Sequence, residues 1–342
     1  LPHASGQPTD SGKERNGSTD TFRAPSISGG ESVPLAVPHP TKHLWSRHPW
    51  LWFILPAIIG YAILFIYPTA RAFYLSFFDW SGVGPIGDFV GLKNFRRLLT
   101  NDRFWNAATN SAKLFLAIFI LQNTISLGLA LLLNRKTRMT HVYRTIIFLP
   151  VVISAVATGI IWVLMLDPQI GVINPVLEDI GLGSLKRGWQ SDPAWAMKTV
   201  YLVQFWQWNG MAVVLYLAGL QNVPDELLQA ARVDGANRFR AFRDVTFPML
   251  APAFTIVTVL AFILIFRAFD LVYVLTGPQG APGGYTHIIG VLIYGDAFGT
   301  SGFSTQPRLS YAIAEGVTLF VFLAGASGLL IKALGKREEA IA

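Results

Sequence analysis

The strongest constraint in this chain is a set of long stretches almost free of charge. Apolar runs of about 17–25 residues read as bilayer-crossing helices. Six stand out: Trp50 to Tyr67 (continuing towards Phe78), Leu114 to Leu133, Thr145 to Leu166, Thr199 to Leu220, Pro248 to Phe266 and on through Arg267 to Leu275, and Leu309 to Ile331, which contains Glu315. Only 14% of the 342 residues are charged and 52% are hydrophobic, against about 25% charged in soluble domains. The expectation is an all-α integral membrane protein with six transmembrane helices. Cysteine is absent, which excludes disulfides, thiolate metal sites and a cysteine nucleophile. The net charge of +7 falls mostly between the apolar runs, so it reads as membrane topology and not as a nucleic-acid-binding face.

Residues 1–49 are rich in Ser, Gly, Pro and Thr and poor in large apolar side chains, so the segment reads as a disordered tail that cannot offset its ordering entropy. It lacks the basic start and apolar stretch of a secretory signal. Residues 50–336 form the expected six-span domain and 337–342 a short tail. Lys and Arg concentrate on the side that holds both termini, for example at Arg135, Lys136, Arg138 and Arg144 and at Arg232, Arg238, Arg240 and Arg243. That places both termini in the cytoplasm. A smaller basic group, including Lys93, Arg96, Arg97 and Arg103, falls on the outer side with acids nearby.

The segment 222–247, on the cytoplasmic side between the fourth and fifth spans, is the most informative. Asn222 suits a helix cap and Pro224 a first turn; Asp225 and Glu226 favour the positive end of the helix dipole. Leu227, Leu228 and Ala231 follow at helical spacing, Ala230 and Ala231 permit close approach, and Gly235 can end the helix in a left-handed turn. Phe239 and Phe242 then alternate with arginines. From the residues alone, an amphipathic connector lying on the membrane surface is an equally good reading.

The run Gln229-Ala-Ala-Arg-Val-Asp-Gly235, with Pro248 beyond it, resembles the EAA loop of ATP-binding-cassette importer permeases, with Gln229 in place of the usual leading Glu. Tyr67-Pro68, Phe89-Val-Gly-Leu-Lys-Asn-Phe95, Tyr143-Arg-Thr-Ile-Ile-Phe-Leu-Pro150, Gly171-Val-Ile-Asn174 and Phe269-Asp-Leu-Val-Tyr-Val-Leu-Thr-Gly277 are similar to sugar permeases of the maltose/glycerol-phosphate type. The resemblance covers roughly 50–336. It implies the type I importer fold and a subunit that moves a sugar or oligosaccharide across a bacterial or archaeal cell membrane by alternating access. It implies that Glu226, Gln229, Ala230, Ala231, Asp234, Gly235 and Pro248 form the coupling loop to a separate ATPase. The implied partners are a second, MalG-like permease subunit, two copies of an ATP-binding subunit and an extracytoplasmic sugar-binding protein.

No Gly-rich phosphate loop, zinc signature or nucleophile elbow is present in the sequence, so the chain reads as no enzyme, binding no cofactor itself, with ATP and Mg on the partner ATPases. Trp206, Trp208 and Asn209 offer the aromatic and amide chemistry that suits sugars, and the resemblance carries the same role to Ile265 and Ala268; helix packing is an equal reading for the two tryptophans. Ionisable residues within spans are functional candidates. Arg71 and Lys113 lie near span ends, where they can snorkel; Arg267 and Glu315 lie deeper, as a pathway pair or as a structural link between spans five and six. Asp270 and Tyr273 are candidates nearer the outer mouth. The rival class is an ion-coupled secondary transporter, for which Asp270 and Glu315 are the available acids.

Overall fold

A computed structural model describes residues 50–135, 139–300 and 306–339; the tail expected over 1–49 and the last residues, 340–342, lie outside them. The chain divides into two units, 1–57 and 58–342. Of the first, the described part is the opening of α1 (Trp50–Tyr61), with Pro56 inside it. Among the described residues the secondary structure is helical, apart from one isolated bridge between Phe78 and Phe89.

Several helices are interrupted where the sequence removes or diverts a backbone hydrogen bond. A π-helical turn, Ala62–Ile66, separates α1 from α2 (Tyr67–Leu75). It sits just ahead of Pro68, whose ring nitrogen cannot donate to the preceding turn. After α3 (Lys93–Leu99), α4 (Asp102–Leu121) passes through a π-helical turn, Gln122–Ser126, into α5 (Leu127–Leu133). Here Asn123 Nδ2 donates to the Phe119 carbonyl at 2.7 Å and Thr124 Oγ1 to Ile120 at 2.6 Å, so side chains compete for the ladder's acceptors.

The third apolar run is not one straight helix. α6 (Thr140–Val152) and α7 (Ala155–Leu166) meet at 98°. Pro150 lies in the last turn of α6, Ile153 is extended (ψ 135°), and Ser154 Oγ accepts from Ala157 N at 3.2 Å to start α7 afresh. α8 (Ile173–Asp179) lies in the following loop, and α9 (Pro193–Gln221) is a single helix of 29 residues. α10 (Asp225–Val233), α11 (Arg238–Ala241), a π-helical turn Phe242–Thr246 and α12 (Phe247–Met249) lead into α13 (Ala251–Phe266).

The expected continuation of span five to Leu275 does not occur. α13 stops at Phe266, and α14 (Asp270–Thr276) is a separate helix whose first-turn acid, Asp270, suits its own dipole. α15 (Ile289–Phe298), between the fifth and sixth expected spans, is largely apolar and buried but too short to span. α16 (Leu309–Glu339) closes the described fold.

Three stretches, Trp52–Leu75, Asp102–Leu133 and Leu309–Gly335, are long and apolar enough to cross a membrane, and the bent pairs α6–α7 and α11–α13 bring the total to five. α9, at the fourth expected span, has the length for a crossing but carries Lys198, Gln204, Gln207 and Asn209, and it does not qualify by apolarity. The interior packs α9 between neighbours. Val213, Tyr216 and Leu217 meet Leu127 and Ala130 of α5 and Val257 of α13, while Val200 joins Leu114, Ile118, Ile265 and Val272. Polar clamps hold the loops: buried Asn110 Nδ2 donates to the carbonyls of Tyr285 (3.0 Å) and His287 (2.9 Å), and Ser111 Oγ accepts from Ile289 N at 3.1 Å.

Candidate functional sites: an exposed elbow and a polar cavity

The elbow between α9 and α13 is built by local rules. Asn222 closes α9 instead of capping α10; Pro224, extended at ψ 131°, occupies the position before α10, and no side chain caps that helix. Asp225 and Glu226 at its start and Arg232 at its end match its dipole. Gly235 has φ +77°, and its N–H reaches Arg232 O at 3.1 Å while Ala236 N reaches Ala231 O at 2.9 Å, the paired bonds that stop a helix through a left-handed residue. Asn237 Oδ1 then accepts from Arg240 N at 2.9 Å and starts α11.

No side chain of α10 or α11 is buried. Glu226, Gln229, Ala230, Asp234 and Gly235 are exposed, with Ala231 and Pro248 half-buried. Val233 and Phe239 are 87% and 73% exposed. Phe242 turns inward, against the α5–α9–α13 core and the ring of Phe247, and ties the elbow to the membrane body. The elbow therefore offers an apolar and basic surface, carried by a firm connection to α9 and α13.

The second site lies where α9 passes the breaks in its neighbours. A cavity of about 200 Å³ is lined by Gln204 and Trp208 of α9, Arg267 and Ala268 after α13, Asp270 of α14 and Ala155 of α7. A second, mostly apolar cavity of about 270 Å³ shares Trp208 and Leu264 with it. Trp208 thus faces both spaces. Gln204 is 3% exposed, and its Oε1 has no hydrogen-bond partner among the described residues. Gln207 Nε2 donates to the Ile153 carbonyl at 3.1 Å and pairs a group that the α6–α7 break leaves over. The two glutamines are not among the expected site residues, although amides three residues apart in an expected span are a signal.

Other candidates fall elsewhere. Trp206 stands edge-on to Trp162 at 5.6 Å and does not line the cavity. Asn209 Oδ1 accepts from Ser126 Oγ at 2.6 Å, a tie between α9 and the π-helical turn. Ile265 is 3% exposed inside the core, not on the cavity wall. Tyr273 packs with Phe269 and Tyr294. Arg267 and Glu315 form no pair. Arg267 opens onto the cavity, whereas fully buried Glu315 lies within electrostatic reach of Asp296, Arg308 and Arg103, beside an Asp296–Arg308 ion pair of 2.9 Å. Among the described residues no cluster of His, Cys, Asp and Glu could hold a metal ion.

Residues 122–337, from the π-helical turn after α4 to α16 and so including both sites, match the family described as binding-protein-dependent transport system inner membrane component. The chain belongs to this family. As an inner membrane component it is 33% identical over 291 residues to the probable starch degradation products transport system permease protein AmyD of Thermoanaerobacterium thermosulfurigenes, covering 84% of this chain and 95% of that one. It is 34% identical over 284 residues to the lactose transport system permease protein LacF of Rhizobium radiobacter, covering 82% and 94%. Its fold is that of a chain in the crystal structure of a bacterial ABC transporter involved in import of the acidic polysaccharide alginate, with a TM-score of 0.71 at 24% identity over 86% of this chain and 99% of that one. The inner membrane component is thus an all-α, multi-pass importer permease of the type I fold.

Proposed function

We propose that the chain is the permease subunit of an ATP-driven, binding-protein-dependent carbohydrate importer. The observation that carries this reading is the family match, which extends across the exposed elbow and the cavity-lining helices together. The names of the relatives, a starch-product permease and a lactose permease, support a sugar as cargo. In this reading α9 is the fourth of six crossings and both termini are cytoplasmic. Two ATP-binding subunits act through Glu226, Gln229, Ala230, Ala231, Asp234 and Gly235, a second permease subunit completes the pathway, and an extracytoplasmic sugar-binding protein delivers the cargo. The sugar passes Trp208, Gln204, Arg267, Ala268 and Asp270, where an aromatic face meets planar polar groups.

Mechanically, closure of the ATPases pushes the elbow, and the push reaches the cavity because α9 and α13, the two helices the elbow joins, also form its wall. That is the two-state rocking alternating access requires. The test is uptake of labelled oligosaccharides by proteoliposomes holding this chain with its co-expressed subunits and binding protein. Uptake should require ATP inside the cytoplasmic face and the binding protein outside. Uptake by this chain alone, driven by an ion gradient and indifferent to ATP, would establish the secondary-transporter reading instead.

A further inference from the structure

A third cavity lies away from the α9 wall. It measures about 350 Å³ and opens between α4 and α16. Phe104, Phe266 and Ile289, all nearly buried, form its floor, and Leu99, Trp105 and Phe322, each about half-exposed, form its rim. Apart from Trp105, its polar side chains are Thr109 and Thr318, with no charge and no amide, and Thr318 Oγ1 already donates to the Ala314 carbonyl at 2.8 Å, so the lining offers a sugar little to bond. The space is shaped for hydrocarbon, and it opens outward from two helices that are long and apolar enough to sit in a bilayer.

The charge beside the rim is unusual. α3 carries Lys93, Arg96 and Arg97 in seven residues. Lys93 has only a loose, exposed partner in Asp79 at 4.0 Å. Arg97 and Arg308 both lie over the ring of Tyr311, at 5.3 and 5.1 Å, but Arg308 is balanced by Asp296 at 2.9 Å. Arg96 is exposed and makes no ion pair among the described residues. It precedes Leu99 by three residues, so the two share a helix face. Trp105 Nε1 donates to the Leu99 carbonyl at 2.9 Å and fixes the corner between this basic helix and the cavity, as an interfacial tryptophan does.

We propose that this cavity takes one acyl chain of an anionic phospholipid, with the phosphate bound by Arg96 and drawn further by Arg97. Guanidinium groups suit a phosphate, and the lining suits the tail. The inference needs only that the chain lies in a membrane; its test reads lipid and not transport, so it stands or falls apart from the carbohydrate reading.

The experiment uses the full chain, purified with its co-expressed subunits, in nanodiscs with increasing fractions of brominated-chain phosphatidylglycerol or phosphatidylcholine. The readout is the tryptophan emission lost in a Trp105→Phe variant, followed as the brominated lipid quenches it. Half-quenching should come at about a fivefold lower mole fraction of phosphatidylglycerol per arginine engaged. Arg96→Gln with Arg97→Gln should erase that preference but leave quenching by both lipids, and Ala108→Phe, which fills the cavity, should weaken quenching by both. Equal quenching by the two lipids in the unsubstituted protein, or a preference that survives loss of both arginines, would overturn the proposal. So would no quenching at all, the result if a protein subunit covers the cavity.

Discussion

Gly210→Ala isolates the contact on which the geometry of α9 depends. A methyl group at this position would stand 2.4 Å from the Ile147 carbonyl oxygen and 2.8 Å from Phe148 Cα. Both are backbone atoms of α6, so no side-chain rotation relieves the overlap and the helices must separate. Overpacking of this kind costs about 1–3 kcal/mol, and backbone obstacles put it in the upper half of that range. Replacing a mid-helix glycine returns about 0.5–1 kcal/mol. The net expectation is a loss of about 1–2 kcal/mol, or a fall in Tm of roughly 2–6 °C. Gly128 of α5, by contrast, has nothing within 4 Å of its added methyl, so Gly128→Ala should gain about 0.5–1 kcal/mol. Thermal unfolding of both variants in detergent reads the contrast. If Gly210→Ala were as stable as Gly128→Ala, the backbones of α6 and α9 would not meet here, and the placement of Trp208 and Gln207, which flank this contact, would be wrong.

The other predictions concern the same wall and the loops that hold it. Gln207→Leu should destabilise by about 1–3 kcal/mol, because it leaves the Ile153 carbonyl unpaired at the break between α6 and α7; thermal unfolding checks it. Trp208→Ala should cut sugar uptake at least tenfold, whereas Trp206→Ala, whose ring meets Trp162 away from the cavity, should leave uptake within about twofold, tenfold being ~1.4 kcal/mol. Asp167, in the loop after α7, accepts from Ile170 N at 3.1 Å and Gln169 N at 2.8 Å, and these bonds hold its carboxyl below the usual carboxylate range. The order it gives the loop is present above the unfolded carboxylate value and lost as pH falls through the lower folded one. Protection from hydrogen exchange at Gln169 and Ile170, taken against the intrinsic rate at each pH, should therefore fall in acid in the unsubstituted protein and show no such step in Asp167→Ala.

The apolar stretches and the elbow were legible in the sequence because each rests on local physics. Long uncharged runs demand a bilayer, and Asp225, Glu226 and Gly235 mark the ends of a short helix without reference to the rest of the chain. The interruptions were harder. Pro150 and Ser154 carry ordinary break signals, but a continuous apolar run from Thr145 to Leu166 hides a bend of 98° that is sustained from outside by Gln207. The same limit explains Ile265 and Ala268. Three residues apart, they would share a face of a continuous helix, but α13 ends between them at Phe266, so Ile265 stays in the core while Ala268 reaches the cavity. α15 is hard to read because a ten-residue stretch broken by Gly290, Gly295 and Asp296 resembles a loop, and its helix is revealed by the packing of Val291 and Leu292, both fully buried. Glu315 and Arg267 lie in adjacent expected spans, and only tertiary packing places Arg267 on the cavity and Glu315 beside Asp296 and Arg308.

The central claim is that the elbow after α9 is a socket through which a separate ATPase moves this subunit. Because the chain contains no cysteine, Val233→Cys places a single thiol on it at a position 87% exposed in the native side chain. Crosslinking in membrane vesicles of defined orientation tests the claim directly. The thiol should react from the cytoplasmic face and crosslink to the ATP-binding subunit, with a yield that changes when ATP is added. A thiol that reacts only from the opposite face, or crosslinks only within its own chain, would contradict the account.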